Sequence, residues 1–236
     1  MGKWKKWLSA GLFTAMLGTA IIAGPTADVS ANAGNKPYNI ENVSPDAQLA
    51  PSVGDSSSKT SSKAWHKIDG VCYNGSGKKV EGAITRGMDV SEWQGKINWK
   101  EAKKDLDFAF VRISYGTRHL DDYYDYNMTE AEAADVPVGT YVYSLAKTNK
   151  EALAEAQLAI RQMQGHKISY PVAFDLEDEK TLGTLSKKEV SQIALTFCDE
   201  IRKAGYTPIL YMNLNWYNNF VDWNVLEGSG LDVWIA

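Results

Sequence analysis

From Ile84 to the end of the sequence, short apolar segments alternate with segments that carry apolar residues at helical spacing. Apolar strands joined by amphipathic helices predict an α/β fold, in which helices cover a parallel β-sheet. Ser186 and Glu189 form a capping box at the start of one helix, and Gly205 marks its end. The six predicted strands span residues 84–90, 107–114, 138–144, 170–177, 207–213 and 231–236. The predicted helices span residues 98–105, 125–135, 149–165, 186–205 and, more briefly, 213–221.

The start of the sequence is typical of an export signal. Three lysines within the first six residues precede an apolar run at residues 8–23, and small residues at 31–33 form a cleavage site. We therefore predict a signal peptide at residues 1–33 and a mature protein outside the membrane. The alternative is a retained membrane anchor, although the apolar run is shorter than the ~20 residues that a spanning helix needs.

Two further segments precede the α/β region. Residues 34–63 are poor in large apolar side chains and end in a serine and lysine run, which predicts a disordered linker. Residues 64–83 contain short alternating segments broken by Asp69-Gly70 and by an Asn-Gly-Ser-Gly turn, which predicts a β-hairpin. The hairpin also resembles a single cell-wall-binding repeat of the choline-binding type, and such repeats bind when several are stacked. The alternative is a hairpin that packs on the following domain.

Composition excludes several classes of function. The 236 residues carry a net charge of −4, so we expect no nucleic-acid partner, because binding phosphates needs a clustered cationic surface. Cys72 and Cys198 do not form a disulfide framework, and Cys198 lies in a helical pattern that predicts a packed thiol. None of the three histidines has ligand spacing, so we expect neither a metal site nor a cofactor. We expect one main domain, acting as a monomer.

Polar and aromatic residues stand at the ends of the first five predicted strands. In parallel α/β folds, the working residues collect at the carboxyl ends of the strands and on the loops that follow. The pattern therefore predicts the rim of a binding cleft. The residues at these ends are Asp89, Ser114, Tyr115, Tyr143, Asp175, Glu177, Tyr211 and Asn213, and Trp93, Trp216 and Tyr217 offer further flat faces for sugar rings.

Asp175 and Glu177 are the strongest candidates for chemistry. Residues two apart on a strand face the same side, with Cα atoms about 6.6 Å apart. If that side is poorly solvated, burial and repulsion raise the proton affinity of one carboxyl group, so that one acid stays protonated while the other stays ionised. Cleavage of a glycosidic bond uses such a pair, and Asp89 would supply a third carboxylate. The alternative is that both acids begin a solvated acidic turn.

Several segments resemble the family 25 glycoside hydrolases, which are lysozymes of the N,O-diacetylmuramidase type. The matching segments are residues 87–95, 111–127, 138–144, 171–177 and 233–236, in the family's order and at about its spacing. The resemblance spans residues 84–236 and implies a TIM-like barrel of five βα units completed by further strands. It also implies hydrolysis of the β-1,4 bond between N-acetylmuramic acid and N-acetylglucosamine in bacterial peptidoglycan.

The resemblance also implies roles for the three acids. Glu177 would be the general acid, and Asp175 would either stabilise the positive centre or orient the acetamido group of the substrate. Asp89 would lie on the floor of the cleft. We expect Tyr143, Tyr211, Asn213 and Tyr115 to bind substrate.

The sequence departs from the family in two places. Where the family often has Lys-x-Thr-Glu-Gly, this chain has Arg112-Ile113-Ser114-Tyr115-Gly116, so Tyr115 stands in place of a glutamate. The sequence also stops in the sixth predicted strand, whereas a closed barrel has about eight. We therefore expect an incomplete barrel that is weakly active or inactive and prone to aggregation.

Two other functions are compatible with the sequence. One is a protein associated with the cell wall that keeps the glycan-binding groove but has lost turnover. The other is a barrel glycosidase that acts on a different glycan.

Overall fold

A computed structural model describes residues 6–8, 19–20, 66–74, 77–83 and 85–236. The predicted linker and most of the predicted export signal lie outside these ranges. The strands are β1 (Lys6–Leu8), β2 (Thr19–Ala20), β3 (His66–Ile68), β4 (Val71–Tyr73), β5 (Gly87–Val90), β6 (Phe108–Tyr115), β7 (His119–Leu120), β8 (Val138–Tyr143), β9 (Ile168–Asp175), β10 (Pro208–Met212) and β11 (Asp232–Ile235). The helices are α1 (Trp99–Ala102), α2 (Tyr124–Ala133), α3 (Asn149–Met163), α4 (Lys187–Lys203), α5 (Leu214–Asn219) and α6 (Trp223–Leu226).

Six strands form a parallel sheet in the order β5-β6-β8-β9-β10-β11. This sheet curls into a half-barrel, and the helices lie in the connections between its strands. The predicted α/β, TIM-like fold with six strands is therefore confirmed. At the two edges of the sheet, β1 pairs with β11 in parallel and β2 pairs with β5 antiparallel. Among the described residues, no helix is both long and apolar enough to cross a lipid bilayer.

Local signals explain why the helices begin and end where they do. The Ser186 side chain accepts a hydrogen bond from the Glu189 backbone, and the Glu189 carboxylate accepts one from the Ser186 backbone, as in a capping box. Gly205 follows α4 with φ of 91°, a backbone conformation that glycine adopts without strain. Asn213 caps α5, because its side-chain oxygen accepts a hydrogen bond from the Trp216 backbone N–H.

Side chains alternate between the two faces of the sheet, as β9 shows. The Phe174 ring stacks on Phe197 of α4, with ring centroids 4.0 Å apart, and Leu176 joins the same core between sheet and helices. Ala173 belongs to a second cluster on the concave face of the sheet. Since alternate residues share a face, Asp175 and Glu177 lie on the concave side with Ala173. The other members of the concave cluster are Phe108, Phe110, Tyr141, Ile209, Tyr211 and Trp234.

Gly139 lets the aromatic side chains of the concave face pack closely. A Cβ atom at this position would lie 2.6 Å from the carbonyl oxygen of Pro171 and 2.7 Å from the Phe110 ring. We expect Gly139→Ala to reduce the free energy of unfolding by about 1–3 kcal/mol, since backbone and ring must both shift. Denaturant unfolding measures this, with Gly183→Ala as the control, because a Cβ at Gly183 comes no closer than 3.4 Å to its neighbours. Equal losses in the two variants would contradict the packing argument.

The hairpin of β3 and β4 lies at the amino-terminal end of the sheet. Its Lys67 ammonium donates to both carboxylate oxygens of Asp107, at 3.0 and 2.9 Å, and Asp107 directly precedes β6. The Asp107 carboxylate also accepts a hydrogen bond from the Arg86 backbone N–H at 2.7 Å. The hairpin is therefore bound at the end of the sheet where the strands begin, opposite their carboxyl ends. Cys72 of the hairpin and Cys198 of α4 are both buried as free thiols.

Candidate active site

The predicted residues lie together at the end of the sheet where the carboxyl ends of neighbouring strands meet. In register, Asp175 on β9 pairs with Tyr143 on β8 and with Tyr211 on β10. Tyr143 in turn pairs with Tyr115 on β6. The sheet therefore presents Tyr115, Tyr143, Asp175 and Tyr211 side by side, with Glu177 just beyond the end of β9.

Asp175 is held in an environment that disfavours its charged form. Its side chain is 1% exposed, and within the described part of the chain no hydrogen-bond donor reaches either carboxylate oxygen. Burial therefore raises the pKa of Asp175 well above its ordinary value, and the charges of Glu177 and Asp89 raise it further. The Arg112 guanidinium opposes this shift. The alternative of a solvated acidic turn does not hold for Asp175.

Glu177 and Asp89 have smaller pKa shifts in the same direction. Burial raises the pKa of Glu177 to about 7, while hydrogen bonds with the side chain and backbone of Asn213 partly oppose the shift. Burial also raises the pKa of Asp89 to about 6. Both side chains remain partly accessible to solvent. Asp89 raises the pKa of both Asp175 and Glu177, and Glu177 also raises that of Asp175, so these carboxyl groups titrate as a group rather than as isolated sites.

The predicted tyrosines occupy different positions in the cleft. Tyr115 and Tyr143 are stacked, with ring centroids 4.8 Å apart and 16° between the ring planes. Tyr115 is 38% exposed, so part of its ring is open to solvent. Tyr211 is buried and meets Trp234 edge to face at 4.7 Å. The structure therefore brings the tyrosines to the same edge as the acids, but only the Tyr115–Tyr143 pair forms a stack there.

Two of the further aromatic residues do not line the cleft. Trp216 is 1% exposed and stacks on Phe220 at 4.4 Å, and Tyr217 packs against Trp223. The expectation that Trp216 offers a face to sugar rings is therefore wrong. The cap at Asn213 starts α5 directly after β10, and the helical turn directs Trp216 into the core between helices and sheet. Trp93, by contrast, is largely exposed.

Arg112 was not among the predicted site residues, although it is buried and its positive charge acts on Asp175. Its Nε donates to Asp121 Oδ2 at 2.9 Å, and its Nη2 lies 2.9 Å from Glu92 Oε1. The other oxygen of Glu92 lies 2.6 Å from His119 Nε2. This network joins the segment after β5 to the segment after β7. The sequence could have indicated this position, because alternate residues of a strand share a face and Arg112 follows Phe108 and Phe110 at intervals of two along β6.

Tyr141 and Asp178 were also missed. Tyr141 precedes Tyr143 by two residues on β8, and burial raises its pKa well above the ordinary value. Asp178 follows Glu177 and is buried, although the acidic run around it suggests a solvated turn. Among the described residues, no group of three His, Cys, Asp or Glu side chains is arranged to hold a metal ion.

Comparisons with known proteins find a family model and a curated relative that match this chain. The model of the family described as glycosyl hydrolases family 25 matches residues 88–236. The uncharacterized protein YegX of Escherichia coli K12 is 27% identical over 139 residues, which cover 56% of this chain and 49% of YegX. The chain thus spans about half the length of this curated relative.

Solved structures show the same fold. The modular autolysin LytC of Streptococcus pneumoniae, in complex with a synthetic peptidoglycan ligand, matches with a TM-score of 0.55 and 23% identity, over 65% of this chain and 39% of LytC. The bacterial lysozyme of Streptomyces coelicolor matches with a TM-score of 0.53 and 23% identity, over 63% of this chain and 72% of that lysozyme.

Proposed function

Because the chain belongs to the glycosyl hydrolases of family 25, we propose that it is a lysozyme that hydrolyses peptidoglycan. The bond cleaved is the β-1,4 linkage between N-acetylmuramic acid and N-acetylglucosamine. The observation that carries the proposal is the buried acid pair. No donor among the described residues reaches the Asp175 carboxylate, and the pKa of Glu177 is raised to about 7. Such a pair provides one proton donor and one carboxylate, as glycosidic cleavage requires.

The proposed roles follow from the accessibility of each acid. Glu177, which is partly accessible, donates its proton to the leaving oxygen of the glycosidic bond. Asp175, which lies deeper, orients the acetamido group of the substrate while it holds its proton, or stabilises the positive centre once it is ionised. Asp89 lies on the floor of the cleft, and Tyr143, Tyr211, Asn213 and Tyr115 contact the sugars. The shared fold with a solved lysozyme, and with an autolysin solved in complex with a peptidoglycan ligand, supports peptidoglycan as the class of substrate.

The proposal includes the place of action. We propose that the protein is exported by its signal peptide and works as a monomer on glycan strands in or near the bacterial cell wall. It needs no cofactor for this reaction, because two carboxyl groups suffice. We propose a structural role for the β3–β4 hairpin, because Lys67 binds it to Asp107 at the end of the sheet opposite the acids.

Product analysis tests the bond that is cleaved. Purified peptidoglycan is digested, the new reducing ends are reduced with borohydride, and the products are identified by mass spectrometry. Reduced N-acetylmuramic acid at the new ends is the expected product. Reduced N-acetylglucosamine would contradict the proposed bond, and activity on chitin without activity on peptidoglycan would favour the glycosidase of another glycan.

The pH dependence of activity should reflect the protonation of Glu177. The general acid must hold its proton, so activity is present below its pKa and is lost as the pH rises through it. With the pKa of Glu177 raised to about 7, we expect the alkaline limb of kcat/KM to have its midpoint near pH 7. Initial rates on soluble peptidoglycan fragments between pH 4 and 10 measure this. A rate that stays constant from pH 6 to 9 would contradict the assignment.

A further inference from the structure

Asp178 contacts the stacked tyrosines through their hydroxyl groups. The hydroxyls of Tyr115 and Tyr143 both lie 3.5 Å from Asp178 Oδ2. Both tyrosines belong to strands of the sheet, whereas Asp178 belongs to the loop after β9. One carboxylate oxygen therefore contacts the hydroxyl groups of both stacked tyrosines.

The second carboxylate oxygen of Asp178 is hydrogen-bonded within its own loop. Asp178 Oδ1 accepts hydrogen bonds from the backbone N–H and the hydroxyl of Thr181, both at 2.8 Å. The side chain is 8% exposed, so these contacts are shielded from water. Thr181 thus fixes the carboxylate, and the carboxylate faces the tyrosines. We call Asp178 and Thr181 the latch.

The stack stands next to the proposed reaction centre. Tyr115 covers one face of Tyr143, and the strand order puts Asp175 on the other side of Tyr143. A sugar bound beside Asp175 would therefore meet Tyr143, whose position depends on Tyr115 behind it. Flat aromatic faces of this kind bind the apolar side of a pyranose ring when they are held still.

We propose that Asp178 is a positioning residue, which locks the Tyr115–Tyr143 stack as one wall of the sugar-binding site beside Asp175. This proposal rests on the proposed function. Asp178 also contributes negative charge near Asp175, together with Glu177 and Asp89, while Arg112 contributes positive charge. Thr181→Val tests position alone, because it leaves the charge of Asp178 in place. Asp178→Asn removes the charge and keeps the oxygen that Thr181 binds, but it also puts an amide NH2 where Oδ2 meets the tyrosine hydroxyls.

Three variants separate the two effects. Thr181→Val removes one hydrogen bond of the latch and keeps the charge, so we expect KM to rise about fivefold with little change in kcat and in the pH profile. Asp178→Asn removes a charge that raises the pKa of Asp175, and Asp175 titrates together with Glu177, so we expect the alkaline limb to move to lower pH. Asp178→Ala should show both effects. Thr184→Val is the control, because Thr184 is an exposed neighbour whose hydroxyl donates only to the Thr181 carbonyl.

The kinetics use soluble tetrasaccharides of alternating N-acetylglucosamine and N-acetylmuramic acid. The proposal is overturned if Asp178→Asn and Thr181→Val change KM and the alkaline limb no more than Thr184→Val does. It is also overturned if both variants only lower thermal stability, because that is the result expected of a purely structural loop. Should Asp178→Ala fail to fold, the other two variants still decide.

Binding measurements distinguish this proposal from the proposed function. Calorimetry compares tetrasaccharide binding by Glu177→Gln and by the double variant Glu177→Gln with Asp178→Ala. If the wild-type protein releases no reducing ends, the proposed function fails. A weaker affinity of the double variant would then still support the latch, whereas equal affinities would overturn it.

Discussion

Replacing Glu177 by glutamine is expected to reduce the release of reducing ends from peptidoglycan by about 10²–10⁴-fold, the contribution typical of a positioned general acid. Glutamine has nearly the same shape and still bonds to Asn213, but it has no proton to give to the leaving oxygen. Binding to purified cell walls should therefore stay within about twofold of wild type. Reducing-end assays and sedimentation with insoluble walls measure the two properties on the same preparation.

The matched control for this variant is Glu179→Gln. Glu179 lies two residues further along the chain and is exposed, so it has no part in the acid pair. Its replacement should leave both activity and wall binding unchanged. Unchanged turnover in Glu177→Gln, together with wall binding in the wild type, would instead indicate a wall-binding protein without catalysis.

Replacing Asp175 by asparagine is expected to abolish most of the activity and to stabilise the fold. The pKa of Asp175 is raised in the folded protein, so the unfolded chain gives up this proton at a lower pH than the folded one. Stability is therefore lost as the pH rises above the unfolded value of about 3.9. Asparagine removes that loss, so its melting temperature at pH 7 should exceed that of wild type by at least about 2–4 °C, as for about 1 kcal/mol in a domain of this size.

The sign of the linkage supplies an internal check. The difference in melting temperature between Asp175→Asn and wild type should shrink as the pH is lowered through about 4, because the unfolded wild-type chain then takes up the proton that the folded state already holds. Asp122→Asn is the control, since Asp122 is exposed and its replacement should change little at any pH. If the difference in melting temperature does not depend on pH, the burial of Asp175 does not destabilise the folded protein through a raised pKa.

The sequence was sufficient to predict the six strands of the parallel sheet. Each is a short apolar run bounded by helical segments, and such runs are buried on both faces. The same reasoning found Asp175, because period-two alternation puts it on the concave side with Ala173. The alternation of side chains along a strand and the position of its end depend on neighbouring residues, so both can be predicted from the sequence.

The errors concern interactions between distant residues. Arg112 reaches Glu92 and Asp121 across three segments, and no local pattern shows this pairing. Trp216 was misplaced because its direction depends on where α5 begins, one residue after the Asn213 cap. Asp178 was overlooked because its acidic neighbours suggest solvent, whereas Thr181 and the two tyrosines enclose it. Tertiary contacts therefore overrode the local pattern at Arg112 and Asp178, whereas the local cap at Asn213 decided the direction of Trp216.

The pairing of Arg112 with Asp121 constrains how this protein can evolve. Arginine serves Asp121 and Glu92 at once through separate nitrogens of a rigid planar group, a geometry that the single ammonium group of lysine does not reproduce. Loss of Arg112 alone would leave the buried charge of Asp121 without this cation. The two positions are therefore expected to be inherited together and, where lineages diverge, to be exchanged together.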